Sequence, residues 1–287
     1  AFDPRGNAMG VLGLPVDRAR YAHAIEHTKS AMSLATPHYG TPLANLLLAI
    51  GFDRALKNSS WFASRPISRG LLEGALRTIG RGSRVLRTAK IETGFLGWIG
   101  DVVLEQPPGS VADYIASFGE DLGALRNLTQ ESASLFAAAV EMRAAVDYVS
   151  FCTGTNEPRG PIATDDPFVH FNTRMFRMLW PKVASKNPAY PYAPTAEVER
   201  LRAAYRADVA AGHDVGVLDL SERSNDGLVP TYSQAFGRVG GVFASDHLDC
   251  IGMYDHGETT GFVRSGARFD AGRFELLWSR VAAILAA

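Results

Sequence analysis

Apolar positions along the chain follow two rhythms. Several stretches carry them at helical spacing: 17–30, 110–119, 129–142, 168–183, 196–211 and 269–285. In the first, Tyr21, Ile25 and neighbouring alanines share one side and charges the other. Ser110 and Thr129 are placed as N-caps, with Asp113 and Glu131 in the first turns behind them. In the last, Phe274, Leu277, Trp278, Val281 and Leu285 are expected on one buried face, with Asp270 at the helix N-terminus. The stripe Phe168, Phe171, Met175, Phe176, Met178, Leu179 and Trp180 reads as core.

The second rhythm is that of short strands. Met32-Ser33-Leu34-Ala35 halts at the Pro- and Gly-rich loop 36–42, 145–152 (AVDYVSFC) halts at Thr153-Gly154-Thr155, and 240–245 (GGVFAS) runs into Asp246-His247-Leu248-Asp249. Residues 1–15 read as loop, and 186–194 as a Pro-rich linker. At 287 residues the chain suits one large α/β domain or one domain with an insertion.

Between 43 and about 105 the pattern is helical but irregular, with Leu46, Leu47, Leu48, Phe52, Trp61, Phe62, Leu71, Leu72, Phe95, Leu96 and Trp98 among Gly and Arg. This is too long for a simple crossover between strands and reads as an insertion. The expected division is 1–42 as helix, strand and loop, 43–143 as a mainly helical insertion, and 144–287 as the later part of the α/β core. Most of the apolar side chains of the insertion are expected to be ordinary packing core.

Composition narrows the function classes. The 287 residues are 46% hydrophobic and 21% charged with a formal net charge of -1, so no basic excess points to nucleic acid or to an anionic membrane surface. The longest apolar runs, 43–52 and 94–104, fall short of the roughly 20 residues a spanning helix needs. Cys152 and Cys250 leave open one disulfide or two buried thiols. The start, Ala1-Phe2-Asp3, has neither an initiator Met nor a secretory apolar core; the chain is read as a processed product, a fragment or part of a longer protein, and secretion or a periplasmic location stays open.

The chemistry concentrates in 225–249, NDGLVPTYSQAFGRVGGVFASDHLD. Asn225-Asp226-Gly227 makes a tight turn that presents a carboxylate, and His247 follows a buried strand. A buried acid holding one ring nitrogen of an exposed imidazole, so that the other faces a hydroxyl, is the acid–base half of a serine nucleophile system. An acid before a His, both late in the chain, suits the order Ser, Asp, His.

These two segments, with Thr36-Pro37-His38-Tyr39-Gly40-Thr41-Pro42-Leu43-Ala44, resemble bacterial lipases and esterases of the α/β-hydrolase fold. The resemblance is specific at 33–44 and 225–252 and lies in pattern only between them. It implies Asp226 and His247 as catalytic acid and base, and places His38 and Tyr39 in the wall of a substrate site, with His38 held by hydrogen bonds and without a chemical role. It also implies that 43–143 forms a lid or acyl-binding cap over an ester or lipid-like substrate.

Such an enzyme needs a Gly-x-Ser-x-Gly elbow, and the chain has none. Ser83, in Gly80-Arg81-Gly82-Ser83-Arg84, follows both glycines, and Ser33, in Ala31-Met32-Ser33-Leu34-Ala35, leads into a loop instead of a helix. The resemblance implies that this chain holds the later strands of a mostly parallel α/β sheet, and puts the elbow, the front of the sheet and the oxyanion loop before Ala1. A second polypeptide bearing the serine, a nicked enzyme, a truncation and a front half outside this sequence all remain open, and a partner covering the exposed sheet is expected. The expected function is lipase-like carboxylic-ester hydrolysis through an acyl-enzyme, in lipid degradation; the competing reading is a non-catalytic binding or structural subunit on the same fold, and amides compete with esters as substrates.

No cofactor is expected. In related lipases an Asp two places after the His binds calcium. Asp249 occupies that position, but Met253 stands where a further oxygen donor would be, so calcium stays open without being predicted and Asp249 is expected to hydrogen-bond or cap.

Overall fold

The computed structural model describes residues 26–49, 122–139, 142–162, 167–184, 195–254 and 264–286. The chain divides into two units, Ala1–Leu43 with Leu128–Ala287, and Ala44–Asn127. Most of 43–143 lies outside the described residues, as do the 1–15 loop, 17–25 of the expected first helix, Ser83, the 110–119 helix and the whole 186–194 linker. Within the second unit the described residues are helical: the greater part of α1 (Pro42–Ala49) and α2 (Leu122–Asn127).

Among the described residues the first unit is built on three parallel strands, β1 (Ser30–Leu34), β2 (Asp147–Gly154) and β3 (Arg238–Ala244), in the order β1-β2-β3. The register runs from Ser30 opposite Asp147 to Leu34 opposite Phe151, and from Val149 opposite Arg238 to Gly154 opposite Ala244. One irregularity falls at Ser150/Phe151. A Cβ on Gly240 would lie within 2.9 Å of Val149 and Phe151 side-chain atoms, so this close approach of β3 to β2 requires glycine.

Period-two alternation divides the core between the two faces of the sheet. On one side Val149, Phe151 and Phe243 pack with Leu277 and Val281 of α6 (Ala271–Leu285), together with Val215, Cys250, Tyr254 and Phe269. On the other Cys152, Val242 and Ala244 pack with Leu201 of α5 (Thr195–Ala210) and with Leu218, Leu220 and Ala235. The result is three layers, helix on sheet on helix, in an α/β architecture. Arg280 of α6 ties them: its guanidinium donates to both oxygens of Asp208 on α5, at 2.6 and 3.0 Å, and to the carbonyl of Gly240 on β3. The remaining described helices of this unit are α3 (Gln130–Ala139) and α4 (Pro167–Val183).

Two caps expected from sequence are in place. The Thr129 hydroxyl accepts from Ser132 N before α3, and the Asp270 carboxylate accepts from Arg273 N at the start of α6.

Three local expectations are corrected. The first helix does not run to Ser30: Glu26 and His27 are helical, and Ser30 is the first residue of β1, because parallel pairing with Asp147 captures it. The central strand spans Asp147–Gly154 and not 145–152; Thr153 and Gly154, which look like a turn, pair with Phe243 and Ala244. The buried face of α6 excludes Leu285, 68% exposed, and has Trp278, 39% exposed, only at its rim, where the indole N–H donates to Cys250 O; Ile284 packs beside Phe274, Leu277 and Val281, the set that helical geometry aligns over the sheet.

Candidate active site

Parallel strands bring all their C-terminal ends to one edge, where ligands bind in open α/β sheets. The pairing continues past the strands there: Ala35 N donates to Phe151 O, Ser245 N to Gly154 O and Thr155 N to Asn225 O. Asp226 and His247 both lie on this edge.

Asp226 is held by its own turn. Gly227, at φ 94°, lets the chain reverse, and its N–H donates to the Asn225 side chain. Asn225 is fully buried, and its amide donates to the carbonyls of Arg223 and of Trp180 on α4. The chain then folds back so that Leu228 N and Val229 N donate to Asp226 Oδ1 at 3.0 and 2.8 Å. On Oδ2 the carboxylate accepts from Thr153 Oγ1 at 2.8 Å, Gln234 Nε2 at 2.9 Å and His247 Nδ1 at 2.8 Å. The acid is wholly buried, and every partner of its carboxylate is a donor.

His247 leaves the end of β3 through Ser245 and Asp246. Its backbone N–H donates to Asp226 O at 3.1 Å, so main chain and side chain both link it to the acid. The side chain is 22% exposed, and among the described residues no group bonds its Nε2. Burial alone would push the imidazole down; the charge of Asp226 and its hydrogen bond outweigh that and hold His247 above the ordinary histidine value. The ring is therefore fixed at Nδ1 and open at Nε2, the arrangement in which a neutral imidazole can take a proton from a hydroxyl.

The segment after His247 is buttressed by neighbouring carboxylates. Asp249 Oδ2 accepts from Asp246 N, and Asp246 Oδ2 accepts from Ser265 N, each at 2.8 Å. Cys250 donates weakly to the His247 carbonyl. Burial pushes both the Cys250 and Cys152 thiols up to about 12, and both cysteines are free, so neither supplies a thiolate beside His247. Among the described residues no group of three or more His, Cys, Asp and Glu side chains is arranged to hold a metal ion.

The 36–41 loop packs against the acid segment through its backbone. Tyr39 N donates to Ser233 Oγ, Ser233 Oγ donates to Gly40 O, and Thr41 Oγ1 donates to Leu228 O. Gly40, at φ 75°, has no room for a side chain: a Cβ would lie 2.6 Å from the Thr129 carbonyl. His38 Nε2 and Ser33 Oγ share a hydrogen bond of 2.9 Å, and the ring stacks on Phe236 with centroids 4.6 Å apart. The Ser33 hydroxyl is thus taken by His38 and not by His247, and neither His38 nor the Tyr39 backbone is bonded to Asp226 or His247.

Burial pushes His38 down to about 4. A histidine lowered in the fold binds more protons when unfolded between about 4 and the ordinary value near 6.5, so its protonation opposes folding as pH falls through that window. Urea midpoints of the wild type and of His38→Phe, which keeps the stack, are expected to show a shallower acid loss for the variant between pH 6.5 and 4. Parallel curves would mean that His38 is not the group responsible.

Two residues of the site carry no sequence signal. Thr153 lies in an apparent turn, and Gln234 in a short 3-10 helix, Thr231–Gln234, yet both are buried and bonded to Asp226. Only the fold brings them there.

No protein-family model and no curated protein matches the chain. Among solved structures it is similar to lipase 1 from Pelosinus fermentans, at 15% identity and TM-score 0.40, over 90% of this chain and 59% of that one. It is also similar to EstA from Clostridium botulinum, at 17% identity and TM-score 0.38, over 89% of this chain and 53% of that one. The chain spans less than two thirds of the length of either protein. Likenesses at this identity and score decide neither fold nor chemistry; the parallel sheet and the Asp226–His247 geometry stand without them.

Proposed function

We propose that the chain supplies the acid and base of a serine carboxylic-ester hydrolase, with the serine carried outside this chain. The observation that carries the reading is the buried carboxylate of Asp226 bonded to His247 Nδ1 at 2.8 Å, with the imidazole partly exposed at the C-terminal edge of a parallel sheet. In the reaction a serine Oγ adds to the ester carbonyl while His247 Nε2 takes its proton. The tetrahedral adduct expels the alcohol, which receives that proton from His247, and water then cleaves the acyl-enzyme by the same route. Asp226 holds the tautomer and stabilises the imidazolium. The assignment of the serine outside this sequence rests on the missing Gly-x-Ser-x-Gly and on the engagement of Ser33 with His38; a second polypeptide and an upstream part of a longer chain both satisfy it.

Calcium is not needed in this scheme, and Asp249 acts through its hydrogen bond to the backbone of the His247 loop. The substrate class is an ester with a lipid-like acyl group, a choice supported by the resemblance and by the apolar composition of 43–105. His38 and Tyr39 would border that substrate.

The test is labelling of the natural assembly with a fluorophosphonate, followed by intact mass of each polypeptide. The expected label is on a serine outside residues 1–287, in a second polypeptide or in an upstream part of the same one, and disappears with His247→Ala. A label mapped within residues 1–287 would overturn the external serine, with Ser33 the first position to map; no label on any polypeptide would overturn the hydrolase reading in favour of a binding subunit. In the active assembly kcat/KM should climb with pH through a midpoint above about 6.5, since only neutral His247 acts as the base and its value is raised. Stability moves the other way. The His247–Asp226 attraction is fully present below that ordinary value and is lost as pH rises through the raised one.

A further inference from the structure

We propose that Thr153 and Gln234 are positioning residues, a clamp that aims the Asp226 carboxylate at His247; the role rests on the acid–base reading above. Two of the three donors on Oδ2 come from this pair. The orientation of the Gln234 amide is fixed by chemistry. Thr153 N–H can only donate and lies 2.7 Å from one end of that amide, so that end must be the oxygen. A flipped amide would set two donors against each other. Nε2 is therefore the end that meets Asp226 Oδ2 at 2.9 Å and Thr153 O at 3.1 Å. Thr153 Oγ1 lies 2.8 Å from Oδ2 and 3.2 Å from Gln234 Oε1; the shorter contact and the charge of the carboxylate draw its single hydrogen to Oδ2.

The clamp also fixes where the acid stands. Thr153 belongs to β2 and Gln234 to the short helix after the acid turn, and Thr231 Oγ1 adds a bond to Thr153 O at 3.0 Å. With Oδ1 held by Leu228 N and Val229 N, the carboxylate can neither rotate nor retreat from β2. His247 approaches from the adjacent strand, so the separation of acid and base is set by strand register and by this pair. A buried filler without such a task would be better apolar, because every buried polar atom must be matched.

The test is a 15N NMR titration of the His247 imidazole in the full chain with its natural partners, which needs no turnover. Thr153→Val preserves shape and removes the hydroxyl; Thr153→Ser restores it. Loosening Oδ2 lengthens the bond to Nδ1, so burial is then opposed less strongly. The expected result is a His247 midpoint about one pH unit lower in Thr153→Val, and within a few tenths of a unit of wild type in Thr153→Ser. Asp246, Asp249 and Cys250, the other ionisable groups flanking His247, are unchanged in both variants. An unmoved midpoint in a folded Thr153→Val chain would overturn the clamp. A raised one would do the same, since it would mean that the hydroxyl only draws charge from Oδ2. Where Thr153→Val does not fold, Gln234→Met is judged by the same criterion. Failure of fluorophosphonate labelling together with the expected titration would overturn the esterase reading and leave the clamp standing.

Discussion

Replacing Asp226 by Asn is expected to lower turnover by about four orders of magnitude with the fold retained. The reason lies in the count of donors. Oδ1 accepts from two backbone N–H groups that cannot move, so the Asn oxygen stays there and its NH2 takes the place of Oδ2. That NH2 faces the Thr153 hydroxyl, which can turn and accept, and Gln234 Nε2, which cannot. It also faces His247 Nδ1, which must now accept. The imidazole is driven to the tautomer with its hydrogen on Nε2, and the nitrogen meant to receive the serine proton is already protonated. The opposed donors add a stability loss of about 1–3 kcal/mol. The 15N shifts of His247 report the tautomer directly, and turnover within tenfold of wild type would sink the assignment of Asp226 as the acid.

Phe243→Ala is expected to cost about 3–5 kcal/mol, a large part of the 5–15 kcal/mol that holds a domain together. Phe243 is completely buried in β3, packs against the α6 face of the core and lies beneath the Arg280 guanidinium, 5.8 Å from its ring. Its removal leaves a cavity between sheet and helix that strands paired in register cannot close. Guanidinium unfolding should show a lower midpoint at unchanged slope. A loss below about 1 kcal/mol would mean that α6 collapses into the space. Since β3 leads directly into His247, labelling of the assembly should fall in parallel with the folded fraction.

How much of this was legible in the chain depended on whether the information was local. Short apolar runs marked the three described strands, two of them halted by Pro or Gly and the third by Asp246-His247, and helical spacing marked α3 to α6 to within a few residues. Asp226 and His247 stood out because a turn dipeptide and a strand end are both local patterns, and the structure brings the two residues together. What lay hidden was set by partners distant in sequence. Ser30 is strand because Asp147 lies beside it, and Gly154 stays extended while a Cβ there would lie 2.5 Å from Thr231 Oγ1. Gln234 meets Thr153 across 81 positions, and no periodicity encodes that contact. On α6 the spacing of Leu285 admitted a place on the apolar face, but the sheet beneath the helix is covered by Ile284 instead.

The pairing of β1 with β2 joins residues on the order of a hundred positions apart, with no intervening strand among the described residues. Closing so long a connection is an entropic event whose cost rises only with the logarithm of length, about 0.6 kcal/mol for each doubling. Lengthening or shortening the connection therefore changes the stability of the sheet very little. Search time is where the distance tells: both contacts of β2 wait for remote chain, and during synthesis the chain must emerge through His247 before acid can meet base.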